Sequence, residues 1–167
     1  MNPIATLHMA NGRKIVIELL PESAPNTVNS FIYTASRGYL DHHAIERIVP
    51  GNWVDVSYTA FGKKECRYLI PNEFELNPDV VPLDSHPGAV CMGGYGEAGL
   101  AGCEFFFPLR DCPDHKGIYP VFGRVLEGMD ELYRLEKVET VPVTDFPIEG
   151  VEVNRPVRPE IIERVEL

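Results

Sequence analysis

Apolar and polar residues alternate along several short stretches of this chain, a pattern typical of strands with one buried face. The first two stretches, residues 4–9 and 14–19, are joined through Asn11 and Gly12, a pair that tolerates the positive φ angles of a tight hairpin turn. Other short β-prone stretches are residues 45–54, 90–92, 105–109, 120–126 and 159–167. The pattern therefore predicts a protein built mainly from short strands.

Two segments repeat their apolar residues at helical spacing instead. In the first, Pro25 suits an opening helical turn, the apolar residues from Val28 to Ala35 share one face, and Gly38 supplies a stop. Residues 129–138 show the same spacing near the other end of the chain. We expect two amphipathic helices.

Many short strands with a helix near each end favour a closed or nearly closed antiparallel β-barrel whose open ends the helices cover. Prolines between residues 71 and 87 rule out long regular elements there, so loops are expected in the middle of the chain. No internal repeat or linker interrupts the sequence. Residues 1–167 are predicted to form a single domain.

Composition fits a soluble globular protein, with 44% hydrophobic and 24% charged residues. The formal net charge of −10 opposes binding to nucleic acid and to anionic membranes, because both need Lys and Arg to replace counterions. No signal-peptide pattern and no membrane-spanning apolar run is found, so the cytoplasm is expected. The cysteines form no C-x-x-C pair and are interpreted as reduced thiols.

Several local motifs follow one another along the chain. They are I-E-L at 17–19 with P-E-S-A-P-N-T-V-N-S-F at 21–31, I-E-R-I-V-P-G at 45–51, P-N-E-F at 71–74, G-A-V-C-M at 88–92, G-C-E-F-F at 102–106 and V-F-G-R-V-L-E-G-M-D at 121–130. In this order they resemble the cyclophilin family of peptidyl-prolyl cis/trans isomerases, whose segments include F-H-R-x-I-P-G, G-S-Q-F-F and V-F-G-x-V-x-x-G-M-D. The resemblance implies a mainly β fold, a closed eight-stranded antiparallel β-barrel capped by two α-helices, with substrate in a groove outside the barrel.

The reaction that the resemblance implies is rotation about an X-Pro amide, whose barrier is about 18 to 20 kcal/mol because the nitrogen lone pair is delocalised into the carbonyl. When the bond twists, that lone pair returns to the proline nitrogen. A fixed cation or strong donor beside it stabilises the twisted state more than either planar state. Arginine suits this role because it stays protonated and presents rigid donors. By its place in I-E-R-I-V-P-G, Arg47 is identified as the catalytic residue.

The rotation makes and breaks no covalent bond, so no ATP, metal or organic cofactor is expected. Expected partners are proline-containing peptides and unfolded or folding proteins, with no nucleic acid and no membrane. The protein is expected to act as a monomer.

The resemblance also implies an apolar socket for the proline ring, since burial of its methylenes holds the ring while the preceding carbonyl rotates. Phe106 aligns with the floor of this socket and Trp53 with one wall. Phe107 is assigned either to the socket or to the core. Backbone groups around Gly93, Gly94 and Tyr95 are expected to pair with the substrate as an added strand, although the glycines also suit a turn that needs positive φ.

The sequence departs from the family pattern at the rim of the groove. Asn52 stands where the family has Phe, and Asp55 and Glu104 each stand where it has Gln. Asp114 stands in the place of Trp, His115 in that of Leu and Tyr119 in that of His. Asp55, Glu104, His115 and Tyr119 are nevertheless assigned to substrate binding, and Tyr119 keeps a ring wall and a hydroxyl donor. A carboxylate at Asp55 is expected to hold Arg47 in a bidentate pair, which orients the guanidinium and weakens its field at the proline nitrogen.

Three other hypotheses remain. The altered rim is consistent with a non-catalytic module of the same fold that only binds proline peptides. Cys103 with His115 and an aspartate would suit a thiol hydrolase, although no oxyanion-hole segment is evident. His42, His43 and Glu46 would suit a metal site, although an exposed loop explains them more simply.

Overall fold

A computed structural model describes residues 1–144 and 150–167, in which the alternating segments form antiparallel β-structure. The strands are β1 Ile4–Met9, β2 Lys14–Leu19, β3 His43–Ala44, β4 Arg47–Val49, β5 Trp53–Asp55, β6 Leu69–Ile70, β7 Ala89–Gly94, β8 Leu100–Pro108, β9 Val121–Glu127, β10 Thr140–Pro142, β11 Asn154–Pro156 and β12 Ile161–Glu166. The α-helices in the described residues are α1 Pro25–Ser36, α2 Glu73–Leu76 and α3 Met129–Glu136. None of them is long and apolar enough to span a bilayer.

The two predicted helices are confirmed as α1 and α3, and a third short helix, α2, lies in the predicted loop region. One ten-stranded sheet runs in the order β3-β12-β1-β2-β9-β7-β8-β5-β4, with β6 added against β8, and β10 pairs separately with β11. The sheet curls, because its end strands β3 and β4 are separated along the chain only by Ile45 and Glu46. The predicted closed eight-stranded barrel is not confirmed: among the described residues no ladder joins β3 to β4.

The segment predicted as one continuous stretch over residues 45–54 is a hairpin. Proline at position 50 cannot donate to a ladder, Gly51 adopts φ +78°, and the Asn52 amide donates to the Val49 carbonyl oxygen at 2.9 Å. The turn divides the segment into β4 and β5. Its register sets Arg47 directly opposite Asp55, which places both side chains on the same face.

Strand β8 supplies both the main core and a second apolar cluster. Phe105 and Phe107 are fully buried in the main core, where the Phe105 ring lies 5.4 Å from that of Phe31. Phe106 points to the other face, as alternation along a strand requires, and packs in a separate cluster with Trp53. Phe107 therefore belongs to the core and not to the socket.

The carboxylate of Glu73, in α2, caps the N-terminus of α1. Residue 24, at the N-cap, offers no side-chain acceptor. Glu73 is 1% exposed and accepts hydrogen bonds from the backbone amides of Asn26 at 3.0 Å and Thr27 at 3.4 Å, and from the Thr27 hydroxyl at 2.7 Å. It thereby satisfies donors that a helix start leaves unpaired, and it fixes the loop region against the helix.

We expect Glu73→Ala to lower the free energy of unfolding by about 1 to 3 kcal/mol, because it leaves buried donors without acceptors. Glu75→Ala is the matched control, since Glu75 lies in the same helix but is exposed. Its effect should stay within about 0.5 kcal/mol. Chemical denaturation measures both, and equal effects of the two substitutions would contradict the capping role.

Candidate active site

All the residues predicted for the site line one cavity of about 570 Å³. They are Arg47, Trp53, Asp55, Gly93, Gly94, Glu104, Phe106, His115 and Tyr119. The strands β4, β5, β7 and β8 and the segment between β8 and β9 bring them together. Their roles in binding and catalysis stay predictions.

The guanidinium of Arg47 is held from several sides. Its Nη1 donates to Asp55 Oδ2 at 2.9 Å, and its Nε donates to the Glu152 carbonyl oxygen at 2.8 Å. Its central carbon lies 5.0 Å from the ring centroid of Tyr58 and 5.6 Å from that of Trp53. Arg47 and Asp55 meet through a single hydrogen bond, and the expected bidentate pair is wrong. The orientation of Arg47 is nonetheless fixed.

Asp55 shares this buried setting, with 11% of its side chain exposed against 12% for Arg47. Burial raises the pKa of Asp55 to about 6, because it penalises the carboxylate more than the neighbouring guanidinium favours it. The carboxyl is therefore charged above this pH. Below it, protonation removes the negative charge beside Arg47.

Glu104 is the second carboxyl group of the cavity, and it is 6% exposed. The Tyr95 hydroxyl donates to its Oε1 at 3.0 Å. Burial raises the pKa of Glu104 to about 8, and the charge of Asp55 acts in the same direction, while the bond from Tyr95 opposes both. A large share of Glu104 is consequently neutral at pH 7. The rim carries less negative charge there than a count of its carboxyl groups indicates.

Four rings surround the apolar part of the cavity. The Phe106 centroid lies 6.1 Å from that of Trp53, 6.0 Å from that of His115 and 5.8 Å from that of Tyr119, in edge-to-face arrangements. Burial lowers the pKa of His115, which favours its neutral form. The rings form an uncharged socket whose polarity suits a small apolar ring.

The end of β7 approaches its neighbours closely at the two glycines. A Cβ on Gly94 would meet Leu100 Cδ2 at 3.2 Å and the Gly99 carbonyl oxygen at 3.3 Å, and one on Gly93 would meet the Glu104 carbonyl oxygen at 3.4 Å. Neither glycine has a positive φ, so the interpretation as a positive-φ turn is wrong. A larger residue at position 94 would therefore have to displace its neighbours by a few tenths of an ångström.

The structure does not support a thiol nucleophile. Cys103 is 1% exposed in the main core, and its Sγ donates to the Cys66 carbonyl oxygen at 3.1 Å. Burial raises the pKa of Cys103, which disfavours the thiolate. His115 contacts the ring of Phe106, and Phe106 lies on the face of β8 opposite to Cys103. His115 is therefore not placed to act on Cys103.

A metal site at residues 42–46 is not supported either. His42 Nδ1 lies 3.0 Å from Glu163 Oε1, whereas His43 is 4% exposed and burial lowers its pKa to about 4. Across residues 1–144 and 150–167, no group of three or more His, Cys, Asp or Glu side chains converges as metal ligands would.

Sequence reasoning missed several residues that line the cavity: Tyr58, Thr59, Phe61, Gly62 and Val151. Residues 58–62 fall in a loop without periodicity, so no pattern indicated which side chains turn inward. Asp114, which aligns with the family's pocket tryptophan, is not among the cavity-lining residues within the described chain. An indole is still present, because Trp53 supplies it from β5.

Comparison with known proteins identifies relatives of this chain. The family model described as cyclophilin type peptidyl-prolyl cis-trans isomerase/CLD matches residues 4–165. Peptidyl-prolyl cis-trans isomerase-like 1 of Gibberella zeae is 31% identical over 152 residues, which cover 91% of each chain. The mouse peptidylprolyl isomerase domain and WD repeat-containing protein 1 is 30% identical over 152 residues, 89% of this chain. The chain spans only 23% of that relative's length.

Solved structures share the fold. A cyclophilin type peptidyl-prolyl cis-trans isomerase of Cryptosporidium parvum, crystallised in the presence of the dipeptide Ala-Pro, superposes with a TM-score of 0.74. The superposition covers 98% of this chain and 97% of the other, at 19% sequence identity. The curled antiparallel sheet with its helices is thus a cyclophilin-like fold.

Proposed function

The chain belongs to the cyclophilin family of peptidyl-prolyl cis/trans isomerases, and on that premise we propose that it accelerates rotation about X-Pro bonds of peptides and proteins, thereby assisting their folding. The observation that carries the proposal is the fixed guanidinium of Arg47 beside an uncharged aromatic socket, within one cavity. The Ala-Pro dipeptide present with the Cryptosporidium parvum relative supports proline peptides as the substrate class.

In the proposed mechanism the proline ring rests on Phe106, while the preceding carbonyl group is free to rotate. Arg47 faces the proline nitrogen and stabilises the lone pair that returns to it in the twisted state. The held orientation of Arg47 means that little rearrangement is needed as the bond twists. Backbone groups near Gly93 bind the peptide as an added strand, so that rotation is confined to one side of the X-Pro bond.

The alternative is a non-catalytic module that binds proline peptides in the same cavity. It is favoured by the contact between Asp55 and Arg47, since the carboxylate offsets the charge on which catalysis depends. Trp53, the single tryptophan of the chain, lies in the cavity and reports binding through its fluorescence. Faster isomerisation of an Ala-Pro peptide in the presence of the protein would support the enzymatic function. A fluorescence change without acceleration would favour the module.

We expect the preference for a basic residue before proline to grow with pH. Glu104 and Asp55 gain negative charge as pH rises through their pKa values of about 8 and about 6, whereas a substrate lysine stays charged until about pH 10. The ratio of kcat/KM for Lys-Pro over Glu-Pro peptides should rise several-fold between about pH 6 and pH 9 at low salt, and salt should reduce it.

The variant Glu104→Gln distinguishes the contribution of Glu104 to this pH dependence from that of Asp55. It restores the amide found in the family and removes the titration near pH 8, so the upper part of the rise should disappear. A Lys-to-Glu ratio that does not change with pH at low salt would contradict an electrostatic rim. An upper part left unchanged in Glu104→Gln would instead contradict the contribution of Glu104.

A further inference from the structure

Arg110 lies next to Trp53, one of the residues that line the cavity. Its central guanidinium carbon is 5.6 Å from the Trp53 ring centroid, the same distance as that of Arg47. The two guanidinium carbons are therefore at most twice that distance apart. Arg110 is exposed and does not line the cavity, whereas Trp53 does. A cation thus stands at the cavity's edge in a chain whose net charge is −10.

Neutral groups hold the Arg110 side chain in place. Its Nε donates to Asn52 Oδ1 at 2.6 Å, and its Nη1 donates to the Asp111 carbonyl oxygen at 3.0 Å. Asn52 also fixes the segment through its own carbonyl oxygen, which accepts from the Leu109 amide at 2.7 Å. Asn52, which stands where the family has phenylalanine, thereby has a structural role. It positions the Arg110 guanidinium next to Trp53.

Among residues 1–144 and 150–167, no carboxylate lies within salt-bridge distance of this guanidinium. Arg47, Arg124 and Arg134 each pair with a carboxylate, but within the described part of the chain Arg110 forms no salt bridge. An oriented guanidinium without an ionic partner presents its charge and its remaining N–H donors to a ligand. The chemistry that fits it is a carboxylate.

We propose that Arg110 selects proline peptides that carry an acidic side chain within about three residues of the proline, since an extended chain advances about 3.3 to 3.6 Å per residue. The inference rests on the proposed function, because it names a substrate class for the same cavity. An acidic side chain inside the cavity would meet Asp55 and Glu104. The acidic side chain is therefore expected outside the cavity, against Arg110.

The test uses matched peptides around an Ala-Pro core. Aspartate or asparagine is placed in turn at each position from three before to three after the proline. Binding is followed through Trp53 fluorescence, and isomerisation through kcat/KM. At one position at least, the aspartate peptide should bind about twofold to fivefold more tightly than its asparagine counterpart, and added salt should reduce the difference.

Arg110→Gln should abolish this difference, and Arg158→Gln should preserve it. Arg158 is the matched control, because it is also exposed but does not line the cavity. Asn52→Ala keeps the charge and frees the guanidinium, so the difference should shrink without disappearing. A preference that survives in Arg110→Gln overturns the inference, as does equal binding of aspartate and asparagine peptides at every position. Peptide binding without acceleration would instead overturn the isomerase proposal alone, because the fluorescence comparison does not depend on turnover.

Discussion

Arg47→Ala should lower kcat/KM for an Ala-Pro peptide by about 10² to 10³, the loss typical when one preorganised donor is removed from a catalytic site. The reason is geometric: Arg47 is the cation of the cavity wall, and its Nη1 and Nε are both held, so it meets the twisted amide without reorganisation. The effect should fall mainly on kcat. The stabilised charge develops only as the bond twists.

Two controls keep this result interpretable. The substitution leaves Asp55 buried beside no cation, so the fold of the variant must be verified by circular dichroism and thermal unfolding. Arg158→Ala removes an exposed arginine that does not line the cavity and should leave kcat/KM unchanged. Undiminished activity in a folded Arg47→Ala variant would falsify the role assigned to Arg47.

The sequence predicted the placement of the site residues well, because the motifs carry them in order. Arg47 and Phe106 sit within segments whose neighbours resemble a family, and the structure brings both into one cavity. The alternation of apolar residues in β8 also decides which phenylalanine faces the cavity. Local pattern and tertiary position agree at these residues.

Other features depend on register and on contacts between distant segments, which local pattern does not contain. The single hydrogen bond between Arg47 and Asp55 follows from the turn between β4 and β5 and from the carbonyl oxygen of Glu152, which lies far along the chain. The contact of Asn52 with Arg110 is likewise long-range. The strand count was missed for a related reason: β3 and β6 are two residues long, too short for alternation to reveal.

Asp55→Gln should raise turnover by about threefold to tenfold, which corresponds to a barrier lower by roughly 0.7 to 1.4 kcal/mol. In the unmodified protein the carboxylate 2.9 Å from Arg47 Nη1 orients the guanidinium and offsets its charge at the same time. Glutamine, which the family has at this position, keeps an acceptor for Arg47 and removes the negative charge. Asp55→Ala should instead lower turnover, because Arg47 then loses one of the groups that hold it.

The pH dependence of turnover tests the same opposition without a substitution. Protonation of Asp55 removes the competing charge, so the unmodified protein should become faster as pH falls through about 6, and its rate should approach that of Asp55→Gln. Glu104 does not account for this rise, since its pKa of about 8 leaves it mostly neutral in that range. His115 is still present in Asp55→Gln, so a rise that is absent from that variant is assigned to Asp55. If Asp55→Gln is slower than the unmodified protein and Asp55→Ala is no worse than Asp55→Gln, the negative charge of Asp55 promotes catalysis and does not oppose it.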